Sequence, residues 1–247
     1  MVQRRLVLAA AAGVSAAAIF GGARAAARSV GPERLARLEA GATWRRDAVD
    51  RRALEALAWA GNVRAAVLLG EGLRAGRLEG SPARGVAWLR RAAESGDCTG
   101  AKLLGRSLLA GGAAGEAAEG RVWLERAARA GDAGAAYSLA LALRSGTGGP
   151  RDASGAVPWL EQAARGGIPQ ADFVLANAYR AGEGVPQDDA SARRHYEAAA
   201  EVEEPGALQA LAQAYRSGEL GLAANAEKAQ ALMRELEHAV HEPVPVP

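Results

Sequence analysis

Five positions, 35 or 36 residues apart, hold a residue at the same place in a recurring pattern: Arg74, Leu109, Arg144, Arg180 and Arg216. Four of them are arginines. A guanidinium pairs with a carboxylate in two parallel hydrogen bonds, so a row of four could hold an acidic peptide or an anionic glycan. Each also falls where a helix is expected to end, and there a cation meets the helix dipole and caps free carbonyls with no outside partner. Three residues before each arginine lies a second column, Glu71, Arg106, Leu141, Asn177 and Gln213. Its mixed charge and polarity suit a peptide lying along a groove.

Other chemistry is sparse. The sequence holds no glycine-rich phosphate loop with its lysine, no paired-cysteine metal spacing and no H-E-x-x-H motif. His238 and His241 are three apart and could share a helix face, but no third ligand stands near them. His195 occupies a column that otherwise holds tryptophan and reads as a packing residue. Cys98 is the only cysteine, which excludes an internal disulfide and reads as a small buried side chain. These absences point away from an enzyme, a cofactor and a bound metal.

The elements that must carry these residues follow from the period. Ala65, Gly100, Ala135, Ala171 and Ala207 are followed four residues on by Leu69, Leu104, Leu139, Leu175 and Leu211. A small residue comes next in every case, then Leu73, Leu108, Leu143, Tyr179 or Tyr215, then a glycine at 76, 111, 146, 182 and 218. A second set runs Gly85, Gly120, Ala156, Ala192 and Ala229, then Trp88, Trp123, Trp159, His195 and Leu232, with Leu89, Leu124, Leu160, Tyr196 and Met233 beside them. Apolar residues at i, i+3, i+4 and i+7 make a stripe that a short helix cannot bury alone. Small residues between them let backbones approach, and glycine at a helix end takes the left-handed conformation. The pattern predicts an all-α chain of stacked helical hairpins, a helical solenoid.

The string small-x-x-x-Leu-Gly-x-x-Tyr-x-x-Gly, a loop, then small-x-x-Trp-Leu-x-x-Ala-Ala-x-x-Gly resembles the Sel-one-like repeat, a relative of the tetratricopeptide repeat. The segment from Ala171 to Ala200, with Gly182-Glu183-Gly184-Val185-Pro186-Gln187-Asp188, is the closest match, and the resemblance covers Gly61 to Ala239. It departs in the loops, with Thr147-Gly148-Gly149-Pro150 in the third unit and an alanine-rich loop, Gly112 to Ala118, in the second. The resemblance implies a right-handed superhelical solenoid and a non-enzymatic adaptor that holds a protein partner on its concave face, as family members do at bacterial envelopes. An envelope glycan is the alternative ligand, and a β-lactamase-like hydrolase a remote one. That last reading belongs to cysteine-rich forms, and this chain has neither their cysteines nor an S-x-x-K motif.

Residues 1–25 have the layout of an export signal: Arg4-Arg5, an uncharged run from Leu6 to Ala23, and Ala23-Arg24-Ala25 as an A-x-A site. The run is mostly alanine and glycine, which partitions weakly into hydrocarbon, so cleavage is expected over an uncleaved anchor. Arg4-Arg5-Leu6-Val7-Leu8 also loosely resembles a twin-arginine signal. A periplasmic protein is expected, or an inner-membrane-anchored one if the segment is retained, and membrane contact only in that case. The sequence pI of about 9.0 suggests nucleic-acid binding, but loss of Arg4, Arg5 and Arg24 turns the formal charge from +2 to −1. The remaining charges alternate in sign like solvated helix faces, so no nucleic-acid partner is expected. The expected organisation is a linker and degenerate helical pair at 26–60, repeats at 61–95, 96–130, 131–166, 167–202 and 203–239, and a proline-rich extended tail at 240–247.

Overall fold

The computed structural model describes residues 25–44, 47–111 and 114–241; the export-like segment up to residue 24 and the tail from 242 lie outside that range. Every regular element from Pro32 onward among the described residues is a helix: α1 (Pro32–Trp44), α2 (Ala48–Trp59), α3 (Val63–Arg74), α4 (Pro82–Glu94), α5 (Cys98–Ala110), α6 (Ala114–Arg129), α7 (Ala133–Ser145), α8 (Ala153–Arg165), α9 (Pro169–Ala181), α10 (Asp189–Ala200), α11 (Pro205–Ser217) and α12 (Ala226–His241). From α3 onward successive helices pack in pairs, α3 with α4, α7 with α8, α9 with α10 and α11 with α12. The chain forms two compact units, residues 1–104 and 105–247, with the division inside α5. None of the described helices is long and apolar enough to cross a membrane.

Two boundaries differ from the sequence reading. The alanine-rich stretch from Gly112 is helical from Ala114 onward, because alanine is the strongest helix former and Glu116 lies favourably in the first turn. At the other end α12 runs through His241. Proline disfavours helix at itself and at the residue before it, so Pro243 does not by itself forbid helix at Val240 and His241.

Hydrogen bonding explains where most helices start. Asn62, Asp132 and Glu204 cap α3, α7 and α11 by accepting from the amides of Ala65, Ala135 and Ala207 at 2.7–2.9 Å. Asp152 and Asp188 cap α8 and α10 in the same way. Ile168 cannot accept a bond, and there Pro169 opens α9 with its fixed φ.

The links between hairpins share one geometry. Gly61, Gly96, Gly131 and Gly167 all have φ between +79° and +96°, and the residue after each donates its amide five residues back, as Asp132 does to Ala127. At the corresponding place before α11 stands Glu203, with φ of +58° and the same bonds around it. It is the one link of the five in which a side chain sits in the left-handed region.

Within each unit the periodic columns form the core. In the first, Leu35, Leu54, Leu69, Leu73, Leu78 and Trp88 cluster with small residues between them. In the second, Leu124, Leu139, Leu160, Leu175, Leu208 and Tyr196 are buried, and Tyr196 packs in a cluster with Ala176, Ala192 and Leu211. Each fully buried leucine contributes about 1.5–3 kcal/mol. The small columns let paired helices touch: a Cβ on Gly85 of α4 would lie 2.7 Å from the carbonyl oxygen of Gly70 on α3. Gly105 and Gly120 meet in the same way in the second unit.

Candidate partner-binding face

The arginine column does not form a free row. In the second unit Arg144, in the last turn of α7, donates to Glu183 Oε2 at 2.8 Å, and Glu183 lies just past the end of α9 in the next hairpin. Arg180, one repeat on, reaches Glu219 at 3.5 Å. Both pairs span 39 residues, so the same spacing joins the ends of α7 and α9 to the turn of the following repeat. Arg216 lies in α11, which belongs to the final hairpin, and it instead donates to Gln213 Oε1 at 3.3 Å. Arg74, in the first unit, is exposed. The charge-bearing turn position holds Gly112 in the second repeat and Thr147 in the third, which is why Glu183 and Glu219 have no counterparts there.

Glu183 is the centre of a larger cluster. Arg151 binds its other carboxylate oxygen and also donates to the carbonyl of Arg144 at 2.9 Å. Arg144 first, then Arg151, holds the Glu183 carboxyl below the ordinary glutamate value, because both hydrogen-bond its charged form. Arg121 on α6 meets the neighbouring loop without any carboxylate. Its guanidinium donates to the carbonyls of Thr147 and Ala142 at 2.6 Å and to Pro150 at 3.2 Å. Five donors in a fixed fork suit such a cluster of carbonyls, which a lysine could not span. Sequence reasoning missed Arg121, Arg151 and Glu183; the acidic column at 183 and 219 was the available signal for the last.

Beside this cluster is an open cavity of about 490 Å³ lined by Leu109, Ser138, Leu141, Ala142, Arg144, Ser145, Thr147 and Glu183. Leu141 is 38% exposed, although in the same helix Leu139 is buried and Leu143 half-buried. The buried Nε of Arg144 has no hydrogen-bond partner. An apolar floor and three hydroxyls thus meet at one place, with the Arg144–Glu183 pair at the edge.

The second column occupies the same helices. Arg106 and Gln213 are exposed, and Leu141 contributes the cavity's apolar side chain. Asn177 is turned to structural use: its amide donates to the Phe173 carbonyl at 2.9 Å and its oxygen accepts from the Tyr196 hydroxyl at 2.7 Å. Burial raises the Tyr196 pKa, keeping that hydroxyl a donor. In the first unit Glu71 pairs at 3.8 Å with Arg77.

His195 packs, as its column implies, by stacking on Tyr179 with ring centroids 5.6 Å apart, and its Nδ1 lies 2.9 Å from Asp172 Oδ1. Trp88 is buried, whereas Trp123 and Trp159 are half-buried. Cys98 is half-buried at the start of α5. His238 lies in α12, and the side chain of His241 is outside the described residues. Among the described residues no group of three or more histidines, cysteines or carboxylates is placed to hold a metal.

Comparison with known proteins identifies what this architecture is similar to. The family model described as the Sel1 repeat matches residues 55–97, 103–132, 133–168, 169–202 and 205–235. Among solved structures, a protective antigen of uropathogenic Escherichia coli strains displaying an SLR fold aligns at TM-score 0.69 and 25% identity over 75% of this chain. The alignment takes in only 40% of that antigen, so this chain spans less than half of its length. A Sel1 repeat protein from Oxalobacter formigenes aligns at TM-score 0.65 and 25% identity, covering 81% of this chain and 78% of its own. Comparison with curated proteins returns no match. Five successive matches along most of the sequence, on hairpins with the expected columns, place the chain in the Sel1 repeat family, whose repeats generally mediate protein–protein interaction.

Proposed function

We propose that the protein is an exported, non-enzymatic scaffold that holds an extended segment of another protein on the first-helix face of its second unit. The observation that carries this reading is the cavity on α7. There Leu141 is exposed beside Leu109, and the hydroxyl-bearing side chains of Ser138, Ser145 and Thr147 line the same cavity. The Arg144–Glu183 pair supplies charges of both signs at its rim, which suits a peptide better than a purely anionic ligand. Export rests on Arg4-Arg5, the uncharged run and the Ala23-Arg24-Ala25 site.

A photo-crosslinking residue at position 141, followed by mass spectrometry of the captured protein from envelope extracts, tests the face. The expected result is one dominant partner lost in Leu141→Glu, with circular dichroism and thermal midpoint unchanged. Capture that survives Leu141→Glu would move the binding site elsewhere. N-terminal sequencing of the mature protein tests export, with Ala26 expected first; an intact Met1 in the soluble cytoplasmic fraction would remove that part of the reading.

A further inference from the structure

The chain enters the first unit through a docked turn, where the sequence suggested a linker. Residues 25–28 are helical, and the amide of Ser29 donates to the carbonyl of Ala25 at 3.2 Å. The Ser29 hydroxyl donates to the carbonyl of Ala26 at 2.9 Å. Val30 then packs against the core cluster that holds Leu35 and Leu54. The Arg28 guanidinium lies over Gly61, where a Cβ would come within 3.1 Å of its Nε.

Asn62 holds this turn in place. It is 4% exposed; its Nδ2 donates to the carbonyl of Ala27 at 2.8 Å, and its Oδ1 accepts from the Ala65 amide at 2.9 Å. The same position before α5, α7, α9 and α11 is Asp97, Asp132, Ile168 and Glu204. An ionised carboxylate only accepts, and isoleucine does neither. Capping α3 needs an acceptor alone, so the donor at position 62 has a second use, and its partner is Ala27.

The docked turn contains the bond that export would cut. The Ala23-Arg24-Ala25 site places cleavage between Ala25 and Ala26. A protease takes an extended stretch of several residues, so the helical turn must open and Ala27 must leave Asn62 first. Opening also strands the Asn62 donor at a buried position. We propose that the first unit, once folded, protects the Ala25–Ala26 bond, so that processing has to precede folding and a precursor that folds first keeps its N-terminal apolar run. This order of events rests on export as proposed and adds a cause for cleavage or retention. A route that carries the chain unfolded presents the bond before Asn62 is placed to bind the turn. A route that carries it folded delivers the bond already docked.

The test uses the purified full-length precursor and a signal peptidase, with a peptide of residues 1–35 as the undocked reference. Mass spectrometry reads the rate of cleavage between Ala25 and Ala26. The peptide should be cut, and the folded precursor should be cut at least about tenfold more slowly, because cleavage follows the population of the opened turn. Asn62→Asp keeps the acceptor for Ala65 and removes the donor to Ala27, so it should restore most of the rate with circular dichroism unchanged. Trypsin at Arg28–Ser29 reads the same docking without signal peptidase: that bond should resist in the wild type and open in Asn62→Asp. A folded precursor cut as fast as the peptide would overturn the proposal, as would an Asn62→Asp precursor that resists both proteases like the wild type. A peptide left uncut by signal peptidase would instead remove the export reading, and processing at this bond with it.

Discussion

Replacing Glu203 with glycine should stabilise the second unit, although glycine beside a helix usually does the opposite. Glu203 has φ of +58° in a link where four equivalent positions hold glycine at φ of +79° to +96°. A side chain in the left-handed region costs about 1–2 kcal/mol. Glycine returns about 0.5–1 kcal/mol of that through the greater freedom of the unfolded chain. The balance is a gain of about 0.5–1 kcal/mol, and removing the buried, unpartnered Oε2 of Glu203 adds to it. For a chain of this length 1 kcal/mol moves the thermal midpoint by about 2–4 °C. Differential scanning calorimetry measures the shift, and hydrogen exchange at the amides of Glu204 and Ala207 localises it to the link. Glu203→Ala separates the two causes, since it removes the carboxylate and keeps the backbone strain. The reasoning is refuted if Glu203→Gly lowers the midpoint, or if Glu203→Ala gains as much as Glu203→Gly.

Two further outcomes follow from named contacts. Gly85→Ala should destabilise the first unit by about 1–2 kcal/mol, because the added methyl meets the Gly70 carbonyl at 2.7 Å and backbone must yield; Gly115→Ala, with nothing within 4 Å, should instead be neutral or stabilising by up to about 1 kcal/mol, and urea titration of both variants compares them. Glu183→Gln should lose about 0.5–1 kcal/mol at pH 7, since the pair is partly exposed. The folded pKa of Glu183 lies below the ordinary 4.5, so its stabilisation is complete above that value and is lost as pH falls through the lowered one. The stability difference between wild type and Glu183→Gln should therefore shrink below about pH 4.5, checked by urea unfolding across pH.

Much of the fold was legible because its causes are local. A leucine at 69, 104, 139, 175 and 211 with a small residue after it specifies both the buried stripe and the close approach of the paired helix, and all five leucines are buried. The left-handed glycines at 146, 182 and 218 were likewise readable from type and position. Trp59 was less so: its amino-acid type suggests core, and only alignment with Glu94, Arg129, Arg165 and Glu201 reveals a solvent-facing column, in which it is 60% exposed. The start of α6 was misread because Gly111, Gly112 and Gly115 signal a turn while the alanines among them favour helix, and Pro243 drew the end of α12 too early.

The candidate sites divide along the same line. Periodicity alone determined that Arg74, Arg144, Arg180 and Arg216 share one position on successive first helices. It could not determine what each arginine meets, because that depends on a turn 39 residues away brought alongside by hairpin stacking. Only the tertiary structure paired Arg144 with Glu183 and Arg180 with Glu219, and brought Leu109 and Leu141 together beside the unpartnered Nε of Arg144. Helical periodicity is a short-range property written in each segment, whereas the partner of a long, charged side chain is fixed by whichever neighbouring repeat packs within its reach.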